Sequence, residues 1–167
     1  LATCDAKTTA SLTEAAKTSQ FTTAPAHRTP FIEDGSVDLV VPSPPFLDVV
    51  AYAGDNWLRC WFCGIDPDSV EITSAGKLPD WRSAMASVFR ELARVLRPGG
   101  HVAFEVGEVR NGTIKLEETV IPVGMAAGLK PVLVAINDQE FTKTSNTWGV
   151  SNGTKGTNTN RIVVFEK

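Results

Sequence analysis

The sequence has no apolar run near the roughly 18 to 20 residues that a membrane-spanning helix requires, and no basic segment followed by an apolar stretch and a small-residue cleavage site. Its three cysteines, Cys4, Cys60 and Cys63, are too few and too irregularly spaced for a disulfide framework. These absences exclude a helical membrane span and a disulfide-stapled fold, and they lead us to expect a soluble protein of the reducing cytoplasm. Positive charge is not in excess either: 16 Lys and Arg against 19 Asp and Glu leave a net charge of −3. Nucleic-acid binding would therefore depend on a local basic face. Cys60 and Cys63 form a lone Cys-x-x-C with no second pair and no nearby histidine, a pattern that reads as two small hydrophobes on a helix rather than a metal or redox site. No metal is expected. There are no internal repeats and no heptads, and the start at Leu1 rather than Met reads as a segment or a processed product.

What is present suits one domain spanning residues 1–167, with 43% hydrophobic and 21% charged residues. Residues 1–30 are rich in Thr, Ala and Ser and weakly patterned, with one short helix expected near Leu12 to Lys17. "EDGSVDLVVPS" gives a turn and then a continuous Val/Leu run, the pattern of a strand buried on both faces of a parallel sheet. After Phe46, Tyr52, Trp57, Trp61 and Phe62 follow at spacings that predict a helix packed closely on its neighbours. In "DWRSAMASVFRELARVLR" (80–97), Trp81, Met85, Val88, Leu92 and Val95 share one helical face. Asp80 is the expected N-cap and "RPGG" the stop. "HVAFEVG" (101–107) completes a strand, helix, strand unit with the right-handed crossover of an α/β sheet. A helix over about 116–127, kinked at Pro122, a strand over 131–137 and a strand over 161–166 follow. Between the last two lies a polar insertion, residues 138–160, longer than an ordinary connection.

The most informative stretch is "VDLVVPSPPF" (37–46), a buried-type strand that ends in two prolines. Ligands of open parallel sheets bind beyond the carboxyl ends of the strands. Two prolines there make a stiff extended turn, because each fixes its own φ and disfavours helical geometry in the residue before it. The outcome is a rigid bracket of acceptors, the Ser43 side-chain oxygen and the Pro44 carbonyl, with the flat ring of Phe46 beyond. Such a bracket suits a planar ring that bears an amino group.

With those residues in view, "SPPF" after "DGSVDLVV" resembles the catalytic motif of the DNA amino-methyltransferases, the S-adenosylmethionine (SAM)-dependent enzymes that methylate cytosine N4 or adenine N6. "FRELARVLRPGGHVAFEVGE" and "TNTNRIVVFEK" resemble further elements of the class I methyltransferase fold, in the right order over about residues 28–167. The resemblance implies an α/β, Rossmann-like class I fold, a mixed sheet with a C-terminal antiparallel hairpin, in an incomplete or permuted form. It implies that Ser43 and the Pro44 carbonyl hold the target amino group, with Pro45 stiffening the turn, and that Phe46 stacks on a base flipped out of the DNA duplex. Methyl transfer would be a direct displacement that relies on positioning and electrostatics. Serine at the first motif position favours cytosine N4, and Phe in place of Tyr keeps the stacking face.

In one respect the chain departs from the family. The Phe-x-Gly-x-Gly turn that approaches the methionine part of SAM is missing, and "FEVGEV" is the nearest string, in the wrong place. The chain therefore resembles the catalytic half of a permuted member, with a homodimer or a partner chain supplying the glycine-rich motif. On that order Asp5, the acidic end of the short strand expected at "LATCD", joins Ser43 on the cofactor side. Candidate substrate contacts are Tyr52, six residues past Phe46, and Lys143, Trp148, Lys155 and Arg161 in and after the polar insertion. Trp57 and Trp61 read as core, His101 as structural, and Glu105 and Glu108 as solvated or capping groups. Two other classes stay open: a non-catalytic nucleic-acid-binding or partner-dependent module that lacks its own SAM site, and a methyltransferase acting on RNA or on protein amides.

Overall fold

The computed structural model describes residues 6–45, 47, 52–70, 75–109, 113–138 and 159–167. Along the chain these form α1 (Ala6–Thr18), β1 (Val37–Val40), α2 (Tyr52–Phe62), a short 3-10 turn (Pro67–Ser69), α3 (Leu78–Val95), β2 (Leu96–Val109), β3 (Ile114–Lys115), α4 (Leu116–Ala126), β4 (Lys130–Asp138) and β5 (Thr159–Glu166). The sheet runs β1-β2-β5-β4, with the two-residue β3 paired to the end of β2. β1 and β2 are parallel and joined through α3, while β5 lies antiparallel to both β2 and β4. The expected mixed sheet with its terminal antiparallel strand is thus present.

α3 is the helix that the spacing predicts, and its buried residues are Trp81, Met85, Phe89, Leu92 and Val95. The buried ridge turns through Phe89, and Val88 is only half-buried. Its N-cap is Lys77 in extended backbone, with proline in the first turn, so Asp80 lies inside the helix rather than capping it. The Asp80 carboxylate still favours the positive end of the helix dipole. The stop comes at Val95, and "RPGG" is carried into the start of β2, where the pairing jumps from Val37 opposite Leu96 to Leu39 opposite His101. Glycine is required there: Gly99 has φ +75°, and a Cβ on Gly100 would stand 2.9 Å from the Arg97 carbonyl oxygen.

α3 and α4 cover one face of the sheet. Val102, Phe104 and Val106 of β2 and Val163 and Phe165 of β5 point to that face and are fully buried. The Phe89 ring lies 4.7 Å from that of Phe104 and 5.3 Å from that of Phe165, the first pair tilted and the second edge to face. α4 passes close over the sheet because residue 124 is glycine, where a Cβ would meet the Phe165 ring at 2.4 Å. It continues through Pro122, which is exposed, and ends at Gly128 with φ +89°.

The chain entering β1 is fastened to the last turns of α3. Thr29 donates its N–H and its hydroxyl to Glu91 Oε1 at 2.7 and 2.6 Å. Arg94 pairs with the same oxygen at 2.7 Å, donates to the carbonyls of Thr29 and Ile32 at 2.9 Å each, and also binds Asp34. The Arg94 guanidinium and the Thr29 donors hold the Glu91 carboxyl down at about 2, and Glu91 with Asp34 stabilises the charged form of Arg94 in turn.

Three expectations need correcting. β1 is not buried on both faces, since Leu39 is 57% exposed and Val41 is exposed beyond it. α2 forms, but it is not packed on neighbours: Trp57, Trp61 and Phe62 are 59, 67 and 76% exposed. Among the described elements α2 touches chiefly the 3-10 turn. α1 extends over Ala6–Thr18, well beyond the helix expected near Leu12 to Lys17, and stands exposed where described. Alanine propensity and a Glu14–Lys17 ion pair at 2.6 Å account for it without any apolar stripe.

Candidate nucleobase-binding bracket

β1 delivers residues 42–45 to the carboxyl end of the parallel pair, and each carbonyl there has a distinct fate. The Pro42 carbonyl accepts from Glu105 N–H at 3.0 Å, which extends the β1–β2 pairing past the last strand residue. The Pro45 carbonyl accepts from the Trp81 indole Nε1–H at 2.9 Å. Two residues further on, Leu47 is fully buried in the core. The turn is therefore held before, within and after the two prolines. Ser43 is exposed and Pro44 half-buried, and neither the Ser43 hydroxyl nor the Pro44 carbonyl enters a hydrogen bond with a described residue. Two acceptors, one from a side chain and one from the backbone, are left presented on a stiff support.

The spacing of α3 places Trp81 in the core, and it is indeed 1% exposed. Its link to the proline turn is a finding of the structure alone. A right-handed crossover from β1 to β2 puts the amino end of α3 at the carboxyl end of the strands, and a buried tryptophan there needs an acceptor for its N–H. Those two facts together are the signal that could have found it.

Arg161 lies in β5, opposite Val106 of β2 and Ile136 of β4. Glu105, which bonds Pro42, pairs with Ile162. Arg161 therefore sits at the same end of the sheet as the bracket, two strands across, or roughly 10 Å at ordinary strand spacing. Its guanidinium is turned inward. It meets Glu117 Oε1 of α4 at 2.6 Å, with side-chain exposures of 12 and 9%. The second Glu117 oxygen, Oε2, is buried with no hydrogen-bond partner among the described residues. Sequence reasoning misses this buried pair too, because no local pattern joins residues 44 positions apart.

The remaining candidates are not brought together with the bracket by the described residues. Asp5, Phe46, Lys143, Trp148 and Lys155 lie outside them, and of Tyr52 only the backbone, at the first position of α2, is described. Cys60 is half-buried in α2 and Cys63 exposed just past it. An open groove of about 650 Å³ runs between α3 and α4, lined by Leu78, Arg82, Ala86, Glu118 and Pro122 among others. It lies on the helical face, and none of the predicted site residues lines it. No helix among the described residues is long and apolar enough to cross a membrane.

No protein-family model and no curated protein matches the chain. Solved structures do. The "Putative DNA Modification Methylase" of Thermus thermophilus matches with a TM-score of 0.51 and 17% identity, over 86% of this chain and 52% of that one. The same protein complexed with S-adenosyl-L-methionine matches with a TM-score of 0.50 and 18% identity, over 86% and 53%. A SAM-dependent methyltransferase of Methanosarcina mazei matches with a TM-score of 0.50 and 11% identity, over 98% of this chain and 78% of that one. At such identities the likeness concerns the fold, which is that of class I SAM-dependent methyltransferases. The chain spans about half the length of the Thermus structure.

Proposed function

We propose that this chain is the base-binding half of a SAM-dependent methyltransferase, acting on an exocyclic amino group of a DNA base, cytosine N4 in preference to adenine N6. The observation that carries the reading is the pair of acceptors, Ser43 side chain and Pro44 carbonyl, that no described residue engages, on a turn fastened at Pro42, Pro45 and Leu47. A primary amino group on an aromatic ring has two N–H donors, and two acceptors carried on one stiff turn can hold it in one orientation. Holding it so aims the nitrogen lone pair and removes the entropy of finding that orientation, an effect worth several kcal/mol in well-oriented reactions. Phe46 adds a stacking face for a base that has left the duplex. That DNA is the substrate rests on the motif and on the Thermus methylase as a fold relative.

SAM is the methyl donor on this reading, and the chain's own residues fit it only in part. No Phe-x-Gly-x-Gly turn is present in the sequence to receive the methionine portion. The face of the sheet opposite α3 and α4, and the outer edge of β1, have no described element packed on them. We assign both to a complementary polypeptide segment that supplies the glycine-rich turn, contributed by the same longer polypeptide, by a second copy or by a partner chain.

The test has two stages. Calorimetric titration of the chain with SAM separates a self-sufficient cofactor site, with micromolar binding, from a half-site, with none. In the active assembly Ser43→Ala and Phe46→Ala abolish methyl transfer to unmethylated DNA while circular dichroism stays unchanged; full activity in both variants would sink the assignment. The missing glycine-rich turn also favours a second reading, a nucleic-acid-binding module without catalysis. DNA binding that is indifferent to SAM and to Ser43→Ala would select it.

A further inference from the structure

We infer that Trp81 is a positioning residue for the bracket: its indole N–H, by holding the Pro45 carbonyl, fixes the orientation in which Ser43 and Pro44 present their acceptors. The inference rests on the reading above and adds a residue that the motif does not contain. Pro44 and Pro45 have no backbone N–H, so Ser43 alone carries donors in the turn, and none of them bonds a described residue. The turn is fastened instead through a carbonyl and through its flanks. The flanks are held by Glu105 N–H at Pro42, 3.0 Å, and by the burial of Leu47. Between them the Trp81 bond, 2.9 Å, is the one hydrogen bond that any residue of the Ser43–Pro45 turn makes with a described residue.

The donor is suited to the task. Trp81 sits in the first turns of an 18-residue helix and is 1% exposed, so its ring does not move independently of α3. Its N–H takes the Pro45 carbonyl and leaves the Pro44 carbonyl clear. Were Pro45 released, rotation about its ψ would change the direction in which the turn runs on to Leu47, and the two acceptors would lose their fixed presentation. A purely structural role for Trp81 requires only that the ring fill its volume, which a phenyl ring does nearly as well.

The deciding variant is therefore Trp81→Phe, which keeps an aromatic ring and removes the donor. In the wild-type chain the Trp81 indole proton exchanges with solvent at least roughly tenfold more slowly than those of Trp57 and Trp61 on exposed α2. In Trp81→Phe the Ser43 and Leu47 amide resonances shift while the melting temperature moves by only a few degrees. In the active assembly kcat falls at least about tenfold, as expected for a displaced reacting geometry, with the KM for SAM unchanged. An indole proton that exchanges as fast as its exposed counterparts, or a Trp81→Phe variant with unaltered Ser43 and Leu47 resonances or unaltered kcat, overturns the inference. A wild-type assembly that transfers no methyl group overturns the methyltransferase reading instead, and the two spectroscopic readouts then decide alone whether Trp81 orients the bracket.

Discussion

The two faces of the sheet are made of similar residues and have opposite fates. On one, Phe104, Val106, Val163 and Phe165 lie fully buried beneath α3 and α4. On the other, Ala103, Glu105, Ile162 and Val164 alternate with them along the same strands, joined by Leu39 of β1, and all are half-buried or exposed, with no described helix above. Sheets built on parallel crossovers are stable when both faces are covered, so on the proposed reading a second layer belongs on the face and on the side of β1 that no described element covers. The bracket stands at the meeting point of the finished and unfinished parts. Its support, through Trp81 and Leu47, comes from the finished side. On the proposed reading, the cofactor contact comes from the other. On that reading, the site would bind one reactant on a preformed surface and meet the second only when the layers join.

The largest effect expected from this contrast is on stability. Phe104→Ala removes a fully buried ring packed against that of Phe89, and it should cost about 3 to 5 kcal/mol. Trp61→Ala removes a larger side chain that is mostly exposed, and it should stay within about 0.5 kcal/mol in the isolated chain. Chemical denaturation of the two variants checks both figures. A Trp61→Ala loss that approaches that of Phe104→Ala would mean that α2 is packed in solution and that the second layer is already in place. Once a complementary segment is bound, the same Trp61→Ala change should become costly, which would sharpen the contrast rather than erase it.

Next in size is the buried pair between α4 and β5. Arg161→Ala leaves the Glu117 carboxylate, whose Oε2 already has no described partner, without its cation. Breaking a pair at 12 and 9% exposure should cost about 3 kcal/mol or somewhat more. The variant also separates two roles for this arginine. Loss of stability with unchanged DNA affinity identifies an internal strut. Loss of affinity and of its salt dependence at unchanged stability identifies the phosphate contact expected from the sequence.

The elements that can be read from the sequence are those whose determinants are local. α3 shows in the spacing of Trp81, Met85, Leu92 and Val95, the end of α4 in Gly128, and β2, β4 and β5 in short runs of β-branched and apolar residues. The bracket is legible for the same reason, since proline geometry is a property of the residue itself. What fails depends on partners distant in sequence or missing. A Val/Leu run such as residues 37–41 announces the capacity to be buried, and whether burial happens depends on what lies above it. The same holds for Trp57 and Trp61, whose spacing predicts the helix correctly and its packing incorrectly. The Trp81–Pro45 and Glu117–Arg161 links span 36 and 44 positions, and neither residue pair forms a local pattern.

The smallest expected effect concerns the chain entering β1, which an ion-pair network fastens to α3. Glu91 accepts from Arg94 and from both Thr29 donors, and these bonds lower its pKa from the ordinary 4.5 to about 2. A carboxyl whose folded pKa lies below its unfolded value stabilises the fold fully above the unfolded value. It loses that contribution as the pH falls through the interval between the two. The wild-type chain should therefore melt a few degrees above Glu91→Gln at pH 6 to 7, with the gap closing from about pH 4.5 downward and gone near pH 2. Thermal melts of both proteins across that range give the result directly. A gap that does not narrow on acidification would mean that the amide loses packing rather than charge. A gap that closes as expected while Ser43 and Leu47 amide resonances stay fixed would show that the two ends of β1 are held independently. The amino end would then be fixed by an ion-pair network already complete within the chain, and the carboxyl end by Trp81 and the buried side of the core.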